Sequence, residues 1–307
     1  MEPSQVRRAV DAAAATAAAF GLDVDDAVVV HNSDRIAVRL IPCDVLARVA
    51  PSSWQAGMEF EAEVARRLAE TDSPIGELES RVEPGVHVRG GFAITLWTYY
   101  EPVAADRRAA AAHEQLGMST ALTPADYAHA LVRLHGGLRQ ADLPTAPHIT
   151  ARVAGWAHEL GDRELTPELR DPDRALVSDT LSRMSAGVSG FGSGEQLLHG
   201  EPHPGNVLST KKGPLFIDLE TCQRGPVEYD LAYVPEDVAE QYPGADQDLV
   251  HQFRILMWAG VTTMRWNRDD QYPGRDHWRI EALHQLRAAL SSSVRPGGRC
   301  LTFRCGR

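Results

Sequence analysis

Apolar positions along the chain change their period several times, and each change marks an element. Gln5 to Phe20 is Ala-rich and predicts a helix closed by Gly21. Ala27–Val30 and Ile36–Leu40 are β-rich runs with His31-Asn32-Ser33-Asp34 as the turn between them, and Val45–Val49 makes a third strand. After Pro51 the period lengthens: Met58, Phe60, Val64 and Leu68, set among Glu59, Glu61, Glu63, Arg66 and Arg67, suit an amphipathic helix ending near Asp72-Ser73-Pro74. Arg81–Val88 and Phe92–Tyr99 flank Arg89-Gly90-Gly91 and predict a hairpin. The first hundred residues therefore form a small antiparallel sheet carrying a helix.

Beyond Glu101-Pro102 the pattern is helical. Thr123-Pro124 is an N-cap with a first-turn proline, and Leu131, Leu134 and Leu138 continue one face to a stop at Gly136-Gly137. Asp173–Met184, Asp246–Trp258 and Trp278–Leu290 are further helices, and Ser291–Arg307 reads as a loosely held tail. The boundary falls near residue 100, giving parts 1–99 and 100–307. Trp258, Trp266, Tyr272 and Trp278 suit the core of the second part, with one or two lining an acceptor pocket beside Asp269 and Asp270.

One stretch breaks the helical pattern. Val207–Ser209 and Leu215–Ile217 flank Thr210-Lys211-Lys212-Gly213, a second hairpin, which returns Asn206 and Asp218 to the same end. Just before it, Gly200, Pro202, Pro204 and Gly205 forbid a helix and force a tight loop presenting His199, Glu201 and His203. The same prolines work against the helix that a zinc site on His199 and His203 would need. A carboxylate with an amide is hard-oxygen ligation suited to Mg²⁺, and a second carboxylate beside it suits a proton acceptor for a hydroxyl nucleophile. Gly190-Phe191-Gly192-Ser193-Gly194 precedes a strand rather than following one, so it reads as a connector and not a dinucleotide loop.

Charge narrows the partners. A net charge of −11 over 307 residues argues against nucleic acid or an anionic membrane and leaves cationic ligands open. Cys43, Cys222, Cys300 and Cys305 are scattered without zinc-type pairs, which fits a reduced compartment. No run is long enough to span a membrane and no signal-type apolar region opens the chain, so the expectation is a cytoplasmic protein.

Three blocks carry a family likeness: His199-Gly200-Glu201-Pro202-His203-Pro204-Gly205-Asn206, then Phe216-Ile217-Asp218-Leu219-Glu220, then Gly225-Pro226-Val227-Glu228-Tyr229-Asp230-Leu231-Ala232. In this order and spacing they resemble the aminoglycoside phosphotransferase branch of the protein-kinase-like fold, which also contains choline, homoserine and macrolide kinases. The resemblance implies an α+β, two-lobed fold with a small antiparallel-sheet N-lobe and a larger, mainly helical C-lobe. It implies a small-molecule hydroxyl acceptor, aminoglycoside-like or otherwise cationic, ATP or GTP as phosphoryl donor, and Mg²⁺ held by Asn206 and Asp218. Glu201 would be catalytic. The nucleotide would meet Ser33 in the first turn, Arg48 with its helix partner Glu61, and the hinge strand at Thr95 and Trp97. His199, His203, Glu220 and Asp230 would support the site.

The sequence departs from the family at two places. Its only lysines are Lys211 and Lys212, so an arginine stands where the small lobe usually carries lysine, with Arg39 as the rival to Arg48. Glutamate also stands at 201 where the family has aspartate. It keeps the carboxylate and adds a methylene, leaving two outcomes: Glu201 orients and deprotonates an acceptor, or the chain binds nucleotide without turnover. Glu220 is either a second metal or substrate contact or a solvated acid. Asp230 either braces the loop or caps Leu231–Val234.

Overall fold

The computed structural model describes residues 3–32, 35–103, 122–188, 194–272 and 274–292. Helix α1 (Pro3–Ala19) leads into strands β1 (Val24–Asn32), β2 (Ile36–Pro42) and β3 (Val45–Pro51), then α2 (Gln55–Leu68), β4 (His87–Arg89) and β5 (Phe92–Thr98). The five strands form one antiparallel sheet in the order β1-β2-β3-β5-β4. Because side chains alternate along a strand, Val38, Leu40, Ala47, Val49, Ile94 and Leu96 share the face that buries Ala9, Ala13 and Ala17 of α1. The opposite face carries Arg48, in register with Ala37 and Thr95, and Leu46, in register with Arg39 and Trp97.

The hairpin expected over Arg81–Val88 is shorter than its sequence suggests, since only His87–Arg89 pairs with β5. Pro84 and Gly85 interrupt the run, and the Glu79 carboxylate takes the Arg81 backbone N–H (2.9 Å) and side chain (2.7 Å) instead.

The helical part contains α3 (Pro124–Gln140), α4 (Ile149–Gly161), α5 (Asp171–Val188), the short strand β6 (Gln196–Leu198), the hairpin β7 (Val207–Thr210) and β8 (Gly213–Phe216), β9 (Gln223–Gly225), the short helices α6 (Val227–Leu231) and α7 (Glu236–Glu240), and α8 (Gln247–Trp266) with α9 (Arg275–Ser292). Thr123 caps α3 as expected, its hydroxyl accepting from Asp126 N at 3.2 Å. The helix does not stop at Gly136-Gly137. A Cβ on Gly137 would sit 1.9 Å from Ser73 Oγ, so this glycine lets the turn after α2 pack against the helix rather than ending it.

One core runs through both parts: Val64, Leu68, Ile75 and Trp97 pack with Tyr127, Leu131, Leu134, Leu138, Phe216 and Leu219. Each fully buried leucine contributes about 1.5–3 kcal/mol. A second core joins Ile149, Val153, Trp156 and Leu160 of α4 to Val177, Leu181, Tyr229, Phe253, Leu256 and Leu286. Among the described residues no helix is long and apolar enough to cross a membrane.

Candidate active site

The loop between β6 and β7 is fixed by a buried carboxylate. Asp230, fully buried in α6, accepts the backbone N–H groups of His199 and Gly200, each at 2.8 Å, and bonds His135 Nε2 at 3.0 Å. His135 in turn bonds the Tyr242 hydroxyl at 2.9 Å. Asp230 lies inside its helix rather than at the N-cap, so the bracing geometry is the one observed. Gly200 has φ +93°, and a Cβ there would lie 2.0 Å from the Thr221 carbonyl oxygen, which makes glycine obligatory. Tyr127 of α3 donates to the Pro202 carbonyl at 2.5 Å.

His199 is fully buried, its Nε2 bonding Ile217 O at 3.0 Å and its Nδ1 accepting from Glu201 N at 3.4 Å. Burial holds its imidazole below the ordinary histidine value, against the pull of Asp230. His203 Nδ1 accepts from Gly205 N at 3.1 Å. Both histidines thus bond backbone groups of the loop and hairpin.

The hairpin brings Asn206 and Asp218 together. Ile217 N donates to Asn206 O at 3.0 Å, and Asp218 follows in the left-handed region at φ 69°. The Asn206 amide nitrogen donates to Glu201 O at 3.0 Å, which leaves its Oδ1 as the amide's acceptor. After Asp218 the chain turns tightly through Leu219–Thr221 instead of continuing as a strand, so Glu220 leaves the line of Asp218 and pairs with Arg35.

Opposite them stands the sheet face. Arg48 pairs with Glu61 of α2 and donates from Nη2 to Asp218 Oδ1 at 2.7 Å. Arg39, the rival cation, pairs instead with Asp44 (2.8 Å) and Glu101 (3.4 Å) and lies 4.1 Å over the Tyr99 ring. Glu61 is fully buried, and its Oε1 also accepts Leu219 N at 3.2 Å. Arg35 joins the network, with Nη1 3.1 Å from Glu61 Oε2 and 3.8 Å from Asp218 Oδ1. Burial and the neighbouring Arg48 hold Arg35 below its ordinary value, while for Arg48 burial is outweighed by Glu61 and Asp218. Burial pushes Asp218 up, and the two arginines more than reverse this, so it sits below the usual carboxylate range.

Thr95 and Trp97 are buried on the same face, the indole Nε1 donating to Thr95 Oγ1 at 2.8 Å. Their side chains fill core, so a nucleotide would meet this strand through backbone rather than through them. Ser33 lies outside the described residues.

Glu201 pairs with Arg152, which projects from α4. That helix and its arginine escape a reading based on caps, because its N-cap is His148, which accepts Thr150 N at 3.2 Å. The spacing Ile149, Val153, Trp156, Leu160 after Pro147 was nonetheless a helical signal. Arg35 left no sequence signal, as it stands beside the turn at the head of β2.

No cluster of three or more His, Cys, Asp or Glu side chains with metal-binding geometry occurs among the described residues. Two oxygen ligands, Asn206 Oδ1 and the Asp218 carboxylate, nevertheless fit Mg²⁺, which is usually held by one or two carboxylates and completed by water and substrate phosphates.

A small antiparallel sheet with one ion-paired helix, set on a helical part that presents a braced loop and hairpin, is the protein-kinase-like two-lobed fold. The chain belongs to the phosphotransferase enzyme family (APH), whose model matches residues 16–266. No curated protein matches it significantly. Among solved structures it is similar to a thermostable mutant of aminoglycoside phosphotransferase APH(4)-Ia in a ternary complex with ADP and hygromycin B, at 14% identity and TM-score 0.64 over 92% of this chain and 99% of that one. It is similar to a GDP complex of an aminoglycoside 2'-phosphotransferase-IIIa mutant at 15% identity and TM-score 0.64, over 95% and 98%. A choline/ethanolamine kinase family protein from Mesorhizobium loti aligns at 14% identity and TM-score 0.62, over 94% and 95%. At these identities the likeness is one of fold.

Proposed function

We propose that the chain transfers the γ-phosphoryl group of ATP or GTP to a hydroxyl of a small molecule. The observation that carries this is the contact of Asp218, at the end of the hairpin, with Arg48 from the sheet, beside a loop in which the Asn206 amide donates to the Glu201 carbonyl. Asn206 and Asp218 would hold Mg²⁺, which supplies charge neutralisation on the donor phosphates when bound. Arg48, oriented by Glu61, offers its guanidinium to the same phosphates. Glu201 orients the acceptor hydroxyl and takes its proton as the oxygen attacks phosphorus. Most of the rate enhancement comes from positioning and from fixed charge.

A cationic, aminoglycoside-like acceptor is supported by the net charge of −11 and by a shallow surface depression lined by Glu159, Met264, Asn267, Asp269 and Asp270, where Arg265 pairs with Asp270 at 2.7 Å. Glu159 lies seven residues after Arg152 on α4, two turns and roughly 10 Å further along the same face. A second reading, nucleotide binding without turnover, rests on the glutamate at 201 where the family has aspartate.

Two assays separate these. The first is a Mg²⁺-dependent thermal shift with ATP or GTP; the second is product formation across aminoglycosides, macrolides, choline and homoserine. Asp218→Ala is expected to abolish metal-dependent nucleotide binding. Glu201→Gln is expected to spare binding and lower turnover about 10²- to 10⁴-fold. Equal loss of binding in both variants would overturn the assignment of roles.

A further inference from the structure

The glutamate at position 201 and the arginine at position 152 form one device. The Glu201 backbone is pinned on both sides: its carbonyl accepts Asn206 Nδ2 at 3.0 Å, and its N–H points to His199 Nδ1 at 3.4 Å. Only the side chain remains to be placed, and it is long. Its carboxylate reaches Arg152, which leaves α4 one turn after the cap and holds its guanidinium 5.4 Å from the centre of the Trp156 ring. Trp156 is itself buried in the second core, so the arginine rests on a rigid platform. Both partners are shielded, with side chains 20% and 19% exposed for Arg152 and Glu201, a setting in which a charge pair keeps its geometry better than at an open surface.

From this geometry we infer that Arg152 is the positioning residue for Glu201, and that the extra methylene at 201 is the length needed to meet it. The inference rests on the kinase reading. An aspartate on the same pinned backbone would draw its carboxylate back by about 1.5 Å and stretch its contact with the arginine. The carboxylate would then be displaced from the acceptor hydroxyl, and displacements of about 1 Å at a reacting group cost up to about 10²-fold. The guanidinium also leaves the carboxylate's second oxygen for the acceptor, since a single Arg152 nitrogen contacts Glu201 Oε1.

The test measures kcat and nucleotide KM for the full chain and for Arg152→Gln, Arg152→Lys, Glu201→Asp and the double variant Glu201→Asp/Arg152→Gln. A thermal shift with Mg²⁺ and ATP confirms that each is folded and binds nucleotide. Arg152→Gln is expected to lower kcat about 10- to 100-fold with nucleotide KM within about twofold, and Arg152→Lys to recover part of the loss. Glu201→Asp, which restores the family's residue and leaves Arg152 in place, is expected to lower kcat about 10-fold rather than raise it. The double variant is expected to be no worse than the weaker single one, because both changes break the same contact. If the wild-type chain turns over and Arg152→Gln keeps kcat within twofold, or Glu201→Asp matches or exceeds the wild type, the inference fails while the kinase reading stands. If the wild-type chain binds nucleotide but yields no product with any acceptor, the kinase reading fails and takes this role with it.

Discussion

Arg48 on β3 and Asp218 after β8 are 170 positions apart in sequence and 2.7 Å apart in space. The same guanidinium pairs with Glu61, so one arginine ties the sheet, helix α2 and the candidate metal carboxylate together. Arg48→Met is expected to destabilise the fold by about 3 kcal/mol, the lower end for a broken buried pair, because Arg35 still contacts Glu61 at 3.1 Å. Arg48→Lys keeps the charge but offers no fork, and should restore about half of this. Denaturant unfolding measures both, and a stability unchanged in Arg48→Met would show that the network contributes little.

Asp230 accepts three bonds from His199, Gly200 and His135. Asp230→Asn converts one acceptor oxygen into a donor facing groups that also donate. A loss of about 2–4 kcal/mol in chemical denaturation is expected, together with a drop in turnover from a loosened loop. Nucleotide affinity should suffer less than kcat, since Asp230 bonds neither Arg48 nor Asp218 directly.

Gly200→Ala places a methyl group against the Thr221 carbonyl and forces a φ of +93° on a residue with a Cβ. Strain of about 1–3 kcal/mol is expected before the clash is counted. Melting of the purified variant checks it, and a melting temperature equal to the wild type would mean that the loop repacks without cost.

Acid should weaken the fold through His199. Its folded-state value lies below the ordinary 6.5 because it is buried. As pH falls through that ordinary value, the unfolded chain takes up a proton that the folded chain refuses, so stability falls. The slope from this group approaches ~1.4 kcal/mol per pH unit between the two values. His199→Gln is expected to flatten the stability profile as pH falls below the ordinary histidine value of 6.5, and an unaltered slope would assign the acid sensitivity elsewhere.

Much of this was legible in the chain. The strands β1 to β3, helix α2, the capped α3 and the β7–β8 hairpin follow from local period and turn residues, and the hairpin returns Asn206 and Asp218 to the same end. What local pattern could not supply are contacts set by tertiary approach. Arg35 reaches Glu61, Asp218 and Glu220 only because the sheet packs over the hairpin. Arg152 reaches Glu201 only across 49 positions, through the packing of α4 in the tertiary fold. Gly137 reads as a helix stop by composition, yet it is a contact point, a distinction decided by Ser73, which is 64 positions away. Thr95 and Trp97 lie on the expected strand, but their side chains bond to each other, which period alone does not reveal.

The network of Arg35, Arg48, Glu61, Asp218 and Glu220 bears on how the molecule is put together as a physical object. Cut between the sheet and the helices, the first piece would keep two shielded arginines with Glu61 as their one partner in the network, and the second would keep Asp218 and Glu220 stripped of both cations. Neither piece balances its own charge, and neither closes the core that runs from Leu68 and Trp97 to Leu134 and Phe216. The two lobes are therefore not separable modules: each completes the other's interior, and fragments expressed alone should be recovered as soluble protein only when the two are produced together.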